Sequence, residues 1–115
     1  MTVEHRLATY GSLAPGKLNN DQLDGLDGFW RSGKIRGRLI DSGWGSTLGF
    51  PGLILDGHAY DIPVSVFESP DLPAHWERLD AFEGDGYRRV IATIDIGGEH
   101  VDAYVYAIAK MPPPM

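Results

Sequence analysis

The sequence predicts one α+β domain in which short strands form a small barrel or a strongly curved sheet. Fifteen glycines and eight prolines divide the 115 residues, a pattern that favours short strands joined by turns over long helices. Between these turns lie several strand-like segments and a single well-formed helical pattern. The length and the ordinary apolar content of 43% fit one folded unit. We therefore expect a single domain over residues 1–111, followed by a proline-rich tail at 112–115.

Five segments have the alternation, or the β-branched and aromatic content, that is typical of strands. They are residues 6–10, 34–40, 62–67, 87–96 and 100–109. Gly97 and Gly98 join the last two segments and predict a tight hairpin. Pro63 predicts an edge position or an irregular start for its strand, because proline has no N–H to donate to a ladder. The glycine-rich residues 42–49 predict a loop that leads into a further extended segment.

The helical pattern lies between two natural end signals. Its residues at helical intervals are Leu72, Trp76, Leu79 and either Phe82 or Glu83. Ser69 or Asp71 can cap its start, and Gly84 can end it. Phe82 is expected in the core. A weaker helical spacing at 19–30 is interrupted by glycines and predicts at most a short, broken helix.

Composition excludes several classes of function. Sixteen acidic against ten basic residues give a net charge of −6, which repels a phosphate backbone, so we expect no nucleic acid partner. Without cysteine, disulfides, thiolate metal sites and a cysteine nucleophile are excluded. The four histidines lie far apart and no nucleotide-binding glycine motif occurs, so we expect neither a metal nor a cofactor. A charged N-terminus and the lack of a long apolar run predict a cytoplasmic protein with no membrane segment.

The segment at the end of the first predicted strand bears on chemistry. It reads Tyr10-Gly11-Ser12-Leu13. Glycine at that point allows backbone N–H groups to converge on an anionic or carbonyl oxygen. The alternative is a plain turn that ends the strand, and the segment taken alone favours that interpretation.

The end of the predicted helix supplies a candidate acid/base. Glu83 follows Leu79 by one turn and therefore shares the face that points inward. Burial and the negative end of the helix dipole would both raise the pKa of Glu83, as a general base near neutral pH requires. Exposure to water, or an ion pair with Arg88 or Arg89, is the alternative. The segment alone does not decide between them.

Taken together, the Tyr10–Leu13 segment and residues 79–89 (LDAFEGDGYRR) resemble the gamma-glutamyl cyclotransferase-like family, which includes avirulence-induced plant proteins and small bacterial relatives. Their order, their spacing and the chain length match over about residues 6–109. The resemblance implies a small mixed β-barrel with flanking short helices. It also implies an enzyme that releases an amine from a small γ-glutamyl compound with formation of 5-oxoproline, without metal or cofactor.

The resemblance also assigns roles by position. Glu83 resembles the general acid/base, and Tyr87 resembles a pocket tyrosine, although a core-packing role explains Tyr87 equally well. The backbone groups that would hold the glutamyl moiety belong to Tyr10, Gly11, Ser12 and Leu13. Residues 62–67 depart from the commoner Gly-x-aromatic pattern of the family, so the leaving amine is unassigned, as is the oligomeric state. The other functions considered are a non-catalytic binding module that keeps the pocket and a generic barrel used for protein contacts.

Overall fold

The structure, a computed structural model, describes residues 2–11, 20–40, 52–84 and 86–108. Within these residues the chain forms β1 (Arg6–Thr9), β2 (Phe29–Ile40), β3 (Gly52–Leu55), β4 (Tyr60–Glu68), α1 (Trp76–Glu83), β5 (Tyr87–Ile96) and β6 (Glu99–Ile108). Short 3-10 turns occupy Val3–His5, Asn20–Leu23 and Leu72–Ala74. Ser12, Leu13, the loop predicted at 42–49 and the tail at 112–115 lie outside the described residues.

The six described strands form one sheet that closes on itself. Their order is β3-β2-β4-β1-β6-β5, and a pairing of Lys34 in β2 with Asp95 in β5 closes a five-stranded barrel. β1 runs parallel to β6, whereas the other pairings are antiparallel, so the barrel is mixed. The predicted fold class, an α+β mixed barrel with flanking short helices, is confirmed.

Gly33 permits the close approach of β2 and β5 at the closure. A Cβ atom at this position would lie 2.9 Å from Ile94 Cγ2 and 3.0 Å from the Asp95 carbonyl oxygen. Both distances are shorter than ordinary van der Waals contact, so a larger residue would push the two strands apart. The closure of the barrel therefore depends on a glycine in β2.

Alternation along the strands divides the apolar residues between two clusters. The barrel interior holds Ala8 of β1 and Val105 of β6, whereas their neighbours Leu7 and Tyr106 face the second cluster. That second cluster packs the outer face of the barrel against α1. Its buried members are Leu7, Leu23, Phe67, Leu72, Trp76, Leu79 and Tyr106. The helix is thus held on the barrel by apolar burial, the main stabilising term in folding.

Two expectations about strands need correction. β2 begins at Phe29, five residues before the predicted start, because pairing of 29–37 with β4 outweighs the local helical spacing. The strand that contains Pro63 is not an edge strand, since β4 lies between β1 and β2. Proline is tolerated there because β1 pairs only with residues 65–68, which leaves Pro63 beside β2 alone.

The hairpin prediction is confirmed, and the helix differs in detail. Gly97 and Gly98 have φ values of +60° and +89° and connect β5 to β6. A 3-10 turn at Leu72–Ala74 precedes α1, and neither element receives a side-chain cap. The expectation that Phe82 is core is wrong, since this side chain is 40% exposed. Neighbouring residues on a helix point in directions about 100° apart, and of these two side chains Glu83 is the more buried.

Candidate functional site

Glu83 is the last residue of α1, and the helix geometry turns its side chain toward the barrel. Trp76 and Leu79 form the buried face, and Glu83 follows Leu79 by one turn. Gly84 ends the helix with a φ of +83°, and its N–H donates to the Asp80 carbonyl at 3.1 Å. The Glu83 side chain is partly buried as a result.

Burial determines the electrostatics of Glu83. Loss of contact with water raises the pKa of this carboxyl from 4.5 to about 7. Among the described residues, no hydrogen bond or ion pair of the Glu83 carboxylate offsets this effect. Arg89, one of the two arginines that could have paired with it, instead binds Asp80 at 2.9 Å. The carboxyl is therefore able to exchange a proton near neutral pH.

Tyr10 stands where β1 ends, and its hydroxyl is fully engaged. It donates to the Tyr106 carbonyl at 2.6 Å and accepts from the Leu53 N–H at 3.1 Å. Burial raises the pKa of Tyr10 well above its ordinary value, against the Leu53 hydrogen bond, and the charges of Tyr87 and Glu83 add to the rise. The fold thus brings three of the predicted residues, Tyr10, Glu83 and Tyr87, into one electrostatic neighbourhood.

Gly11 follows Tyr10 in an ordinary backbone conformation. It is not among the glycines with positive φ, and a Cβ atom built on it would meet nothing within 4 Å. Nothing in the described fold therefore requires glycine at this position. Ser12 and Leu13, the other two residues of the predicted loop, lie outside the described residues.

Sequence reasoning missed two residues near Glu83, Asp80 and Tyr106, and did not identify Asp80 as the partner of Arg89. Asp80 accepts hydrogen bonds from Arg89 and from the Tyr106 hydroxyl, at 2.9 and 2.7 Å. Burial, together with the hydrogen bond to Asp80, raises the pKa of Tyr106 far above its usual range. The signal available in the sequence was the position of Asp80, one turn before Glu83 on the same helix.

Other features of the described chain do not coincide with the predicted site. A groove of about 480 Å³ between β2, β5 and the turn before β4 contains Lys34, Asp61 and His100, and none of the predicted site residues lines it. No three His, Asp or Glu side chains of the described segments are grouped as metal ligands would be. None of the helices within those segments has the length and apolar character needed to cross a membrane.

Solved structures of similar fold come from bacteria, archaea and mammals. The chain superposes on YkqA from Bacillus subtilis with a TM-score of 0.70 and 21% identity, covering 91% of this chain and 36% of YkqA. An AIG2-like protein from Mus musculus gives 0.70 at 22% identity, covering 95% and 80%. The uncharacterized protein PH0828 from Pyrococcus horikoshii gives 0.65 at 23% identity, covering 93% and 80%. At these identities the likeness shows a shared fold, and the chain spans about a third of YkqA.

Sequence comparison identifies the family. No curated protein is similar enough to be matched. Residues 7–114, nearly the whole chain, match the family described as "Gamma-glutamyl cyclotransferase, AIG2-like". The matched region includes both β1, which leads into Tyr10, and the end of α1 with Glu83. On this match and on its barrel, the chain belongs to the AIG2-like gamma-glutamyl cyclotransferase family.

Proposed function

We propose that this protein releases an amine from a small γ-glutamyl compound and forms 5-oxoproline, with Glu83 as the general acid/base. One observation carries the proposal. A half-buried carboxyl with a pKa of about 7, whose charge influences the Tyr10 hydroxyl, has no hydrogen bond or ion pair in the described part of the chain. A general base works best when its pKa lies near the pH at which it operates. Family membership supports the same class of reaction.

The proposed reaction needs one group that both takes and returns a proton. The Glu83 carboxylate accepts a proton from the substrate α-ammonium, and the freed amine attacks its own γ-carbonyl carbon. A new C–N bond then closes the five-membered ring and leaves an oxyanion. When the oxyanion collapses, the original C–N bond breaks, protonated Glu83 returns its proton to the departing amine, and the ring nitrogen loses its extra proton to solvent. The products are 5-oxoproline and the free amine, and Glu83 is regenerated.

The loop that begins at Tyr10 is the proposed binding element for the glutamyl moiety. Backbone N–H groups of Gly11, Ser12 and Leu13 would stabilise the oxyanion without a metal, as oxyanion-hole donors do. The open space beside Gly11 supports close approach of a ligand to the main chain. Tyr10 itself would contribute through its ring and backbone, since its hydroxyl is already bonded to Tyr106 and Leu53.

The decisive experiment incubates the purified protein with a panel of γ-glutamyl amines and dipeptides and measures 5-oxoproline by mass spectrometry. On a substrate accepted by the parent, we expect Glu83→Gln to lose about 10²–10⁴-fold in kcat, because the amide cannot take the ammonium proton. Ser12→Ala is the comparison variant, with a much smaller expected loss, because the loop acts through its backbone. An active Glu83→Gln protein would show that another residue is the base.

The same panel tests the alternative of a non-catalytic module. A parent protein that binds γ-glutamyl compounds by calorimetry and yields no 5-oxoproline would establish binding without catalysis. The presence of a desolvated acid at the end of α1 favours the enzyme, since a strongly perturbed pKa is typical of functional sites.

A further inference from the structure

Asp80 connects α1 to the two strands beneath it. Its Oδ1 atom accepts hydrogen bonds from the Tyr106 hydroxyl of β6 at 2.7 Å and from Arg89 Nε of β5 at 2.9 Å. Its Oδ2 atom accepts from Arg89 Nη2 at 3.3 Å, so the ion pair is bidentate. Burial alone would raise the pKa of Asp80, but the hydrogen bonds from Arg89 and Tyr106 hold it below its ordinary value.

Aromatic rings hold the Arg89 guanidinium in addition to Asp80. The guanidinium carbon lies 4.5 Å from the centre of the Trp76 ring and 4.3 Å from the centre of the Tyr104 ring. A planar guanidinium suits this combination of ring contacts and a two-point carboxylate bond, and an ammonium group does not. In its observed position beside α1, Arg89 contacts all three partners at once.

Arg89 binds Asp80, which lies one turn before Glu83 on α1. Burial and the hydrogen bond to Asp80 raise the pKa of Tyr106 most, and the charge of Glu83 adds to the rise while that of Arg89 opposes it. The charges of Glu83 and Arg89 therefore both influence the pKa of the Tyr106 hydroxyl. Yet the ion pairs within the described segments do not include one between Arg89 and Glu83. Such a pair would lower the pKa of Glu83 and remove its value as a base near neutral pH.

We propose that Asp80 is a positioning residue for Glu83, because it retains the Arg89 guanidinium and so prevents this cation from pairing with the Glu83 carboxylate. The hydrogen bond from the Tyr106 hydroxyl to Asp80 also ties α1 to β6. The Tyr106 carbonyl in turn accepts from Tyr10, so one chain of contacts links α1, β6 and the start of the proposed binding loop. The catalytic meaning of this inference rests on the proposed function, whereas the separation of charges is a property of the folded chain.

Other ionisable groups surround Glu83, and the test must allow for them. They are Asp80 on α1, Tyr87, Arg88 and Arg89 on β5, Tyr106 on β6 and Tyr10 at the end of β1. Arg88 is exposed to solvent. Tyr10 and Tyr106 are neutral over the range in which Glu83 titrates, because burial raises the pKa values of both hydroxyls. The balance of charge near Glu83 is therefore set by Asp80 and the arginines.

The test follows the Glu83 carboxyl ¹³C signal against pH by NMR, with the signal assigned by its loss in Glu83→Gln. Asp80→Asn is expected to lower the pKa of Glu83 by about 1 to 3 pH units, because released Arg89 pairs with it. The double variant D80N/R89Q removes both charges and is expected to return the pKa to the parent value. Asp61→Asn breaks an exposed ion pair with Arg36 elsewhere and serves as the matched control.

A second variant keeps the proposal testable if Asp80→Asn does not fold. Arg89→Lys retains the cation but loses the two-point bond and the ring contacts, so the pKa of Glu83 is again expected to fall. A folded Asp80→Asn protein with an unchanged Glu83 pKa, or a fall that the double variant does not reverse, would overturn the proposal. If neither Asp80→Asn nor Arg89→Lys shifts the signal, the proposal is likewise wrong. The NMR titration needs no turnover, so its result is independent of whether the parent forms 5-oxoproline.

Where the parent is active, kinetics supply a further readout. In Asp80→Asn the acidic limb of the kcat profile is expected to move to lower pH with the pKa of Glu83, and the double variant is expected to move it back. A loss of kcat in Asp80→Asn with the limb in its original place would contradict the charge-separating role.

Discussion

At the scale of single residues, the Tyr10 side chain connects separate strands through the hydrogen bonds of its hydroxyl. Its hydroxyl joins three strands or strand ends, since it donates to the Tyr106 carbonyl in β6 and accepts from the Leu53 N–H in β3. A hydroxyl that already donates one hydrogen bond and accepts another has little capacity left to bind a substrate. The resemblance to the family assigns Tyr10 to the binding loop, and the hydrogen bonds add that the side chain holds the start of that loop in place.

We expect Tyr10→Phe to lower the free energy of unfolding by about 1–3 kcal/mol, because a buried carbonyl and a buried N–H both lose their partner. Urea unfolding measures the change. Tyr60→Phe is the matched control, since Tyr60 is 77% exposed and is expected to stay within about 0.5 kcal/mol of the parent. Equal stabilities of Tyr10→Phe and Tyr60→Phe would show that the two bonds contribute nothing net.

At the scale of the element, the end of α1 determines where the Glu83 carboxylate stands. The buried face of Trp76 and Leu79 fixes the rotation of the helix, and Gly84 stops it directly after Glu83. Gly84 has a φ of +83°, a conformation that L-residues with a side chain adopt only at a cost. Because a Cβ atom there would meet nothing within 4 Å, the requirement for glycine is purely conformational.

We expect Gly84→Ala to destabilise the protein by about 1–3 kcal/mol, the cost of placing alanine at a positive φ with an extended ψ of −176°, a region that is essentially restricted to glycine. Gly57→Ala is the matched substitution, since a Cβ atom there also meets nothing and its φ is not positive. It is expected to be neutral or to stabilise by up to about 1 kcal/mol through the unfolded state. Thermal and urea unfolding of the two variants check the opposite signs, and a neutral Gly84→Ala would contradict the argument.

At the scale of the whole molecule, two carboxyls, those of Glu68 and Glu83, make the free energy of unfolding depend on pH in opposite directions. Burial alone would raise the pKa of Glu68, but hydrogen bonds and charges from Arg6 and Arg31, both at 2.8 Å, hold it below its ordinary value. That stabilisation is present above the ordinary glutamate pKa and is lost as the pH falls. Glu83 has a raised pKa, so its contribution is complete below 4.5 and is lost as the pH rises to about 7.

We therefore expect the free energy of unfolding to be highest near about pH 5 and to fall toward neutral pH by up to about 3 kcal/mol on account of Glu83. Glu83→Gln has no charge to bury and is expected to lose this fall, so it should be the more stable protein at pH 8. Urea unfolding between pH 4 and pH 9 checks both statements. Glu77→Gln, an exposed position on the same helix, is the control. A Glu83→Gln protein with the parent's pH dependence would show that Glu83 is not desolvated.

The local sequence pattern determined much of the secondary structure of this protein. Alternation and glycine spacing predicted the hairpin of β5 and β6 and the α+β class, because these features depend on residues that are neighbours in sequence. The one-turn spacing from Leu79 placed Glu83 on the inward face of α1 for the same reason. The sequence left open whether water would reach that carboxylate and whether an arginine would neutralise it.

The tertiary structure decided which side chains form hydrogen bonds and ion pairs with each other and which strands lie side by side. Arg89 binds Asp80, nine positions away, and the Tyr10 hydroxyl bonds Leu53 and Tyr106, which are 43 and 96 positions away. The early start of β2 at Phe29 and the tolerance of Pro63 likewise depend on which strands lie alongside. Local propensity carries no information about such contacts, because they form only when closure of the barrel brings distant segments together. Burial of Glu83 in the folded chain, which raises its pKa, is likewise a product of tertiary structure.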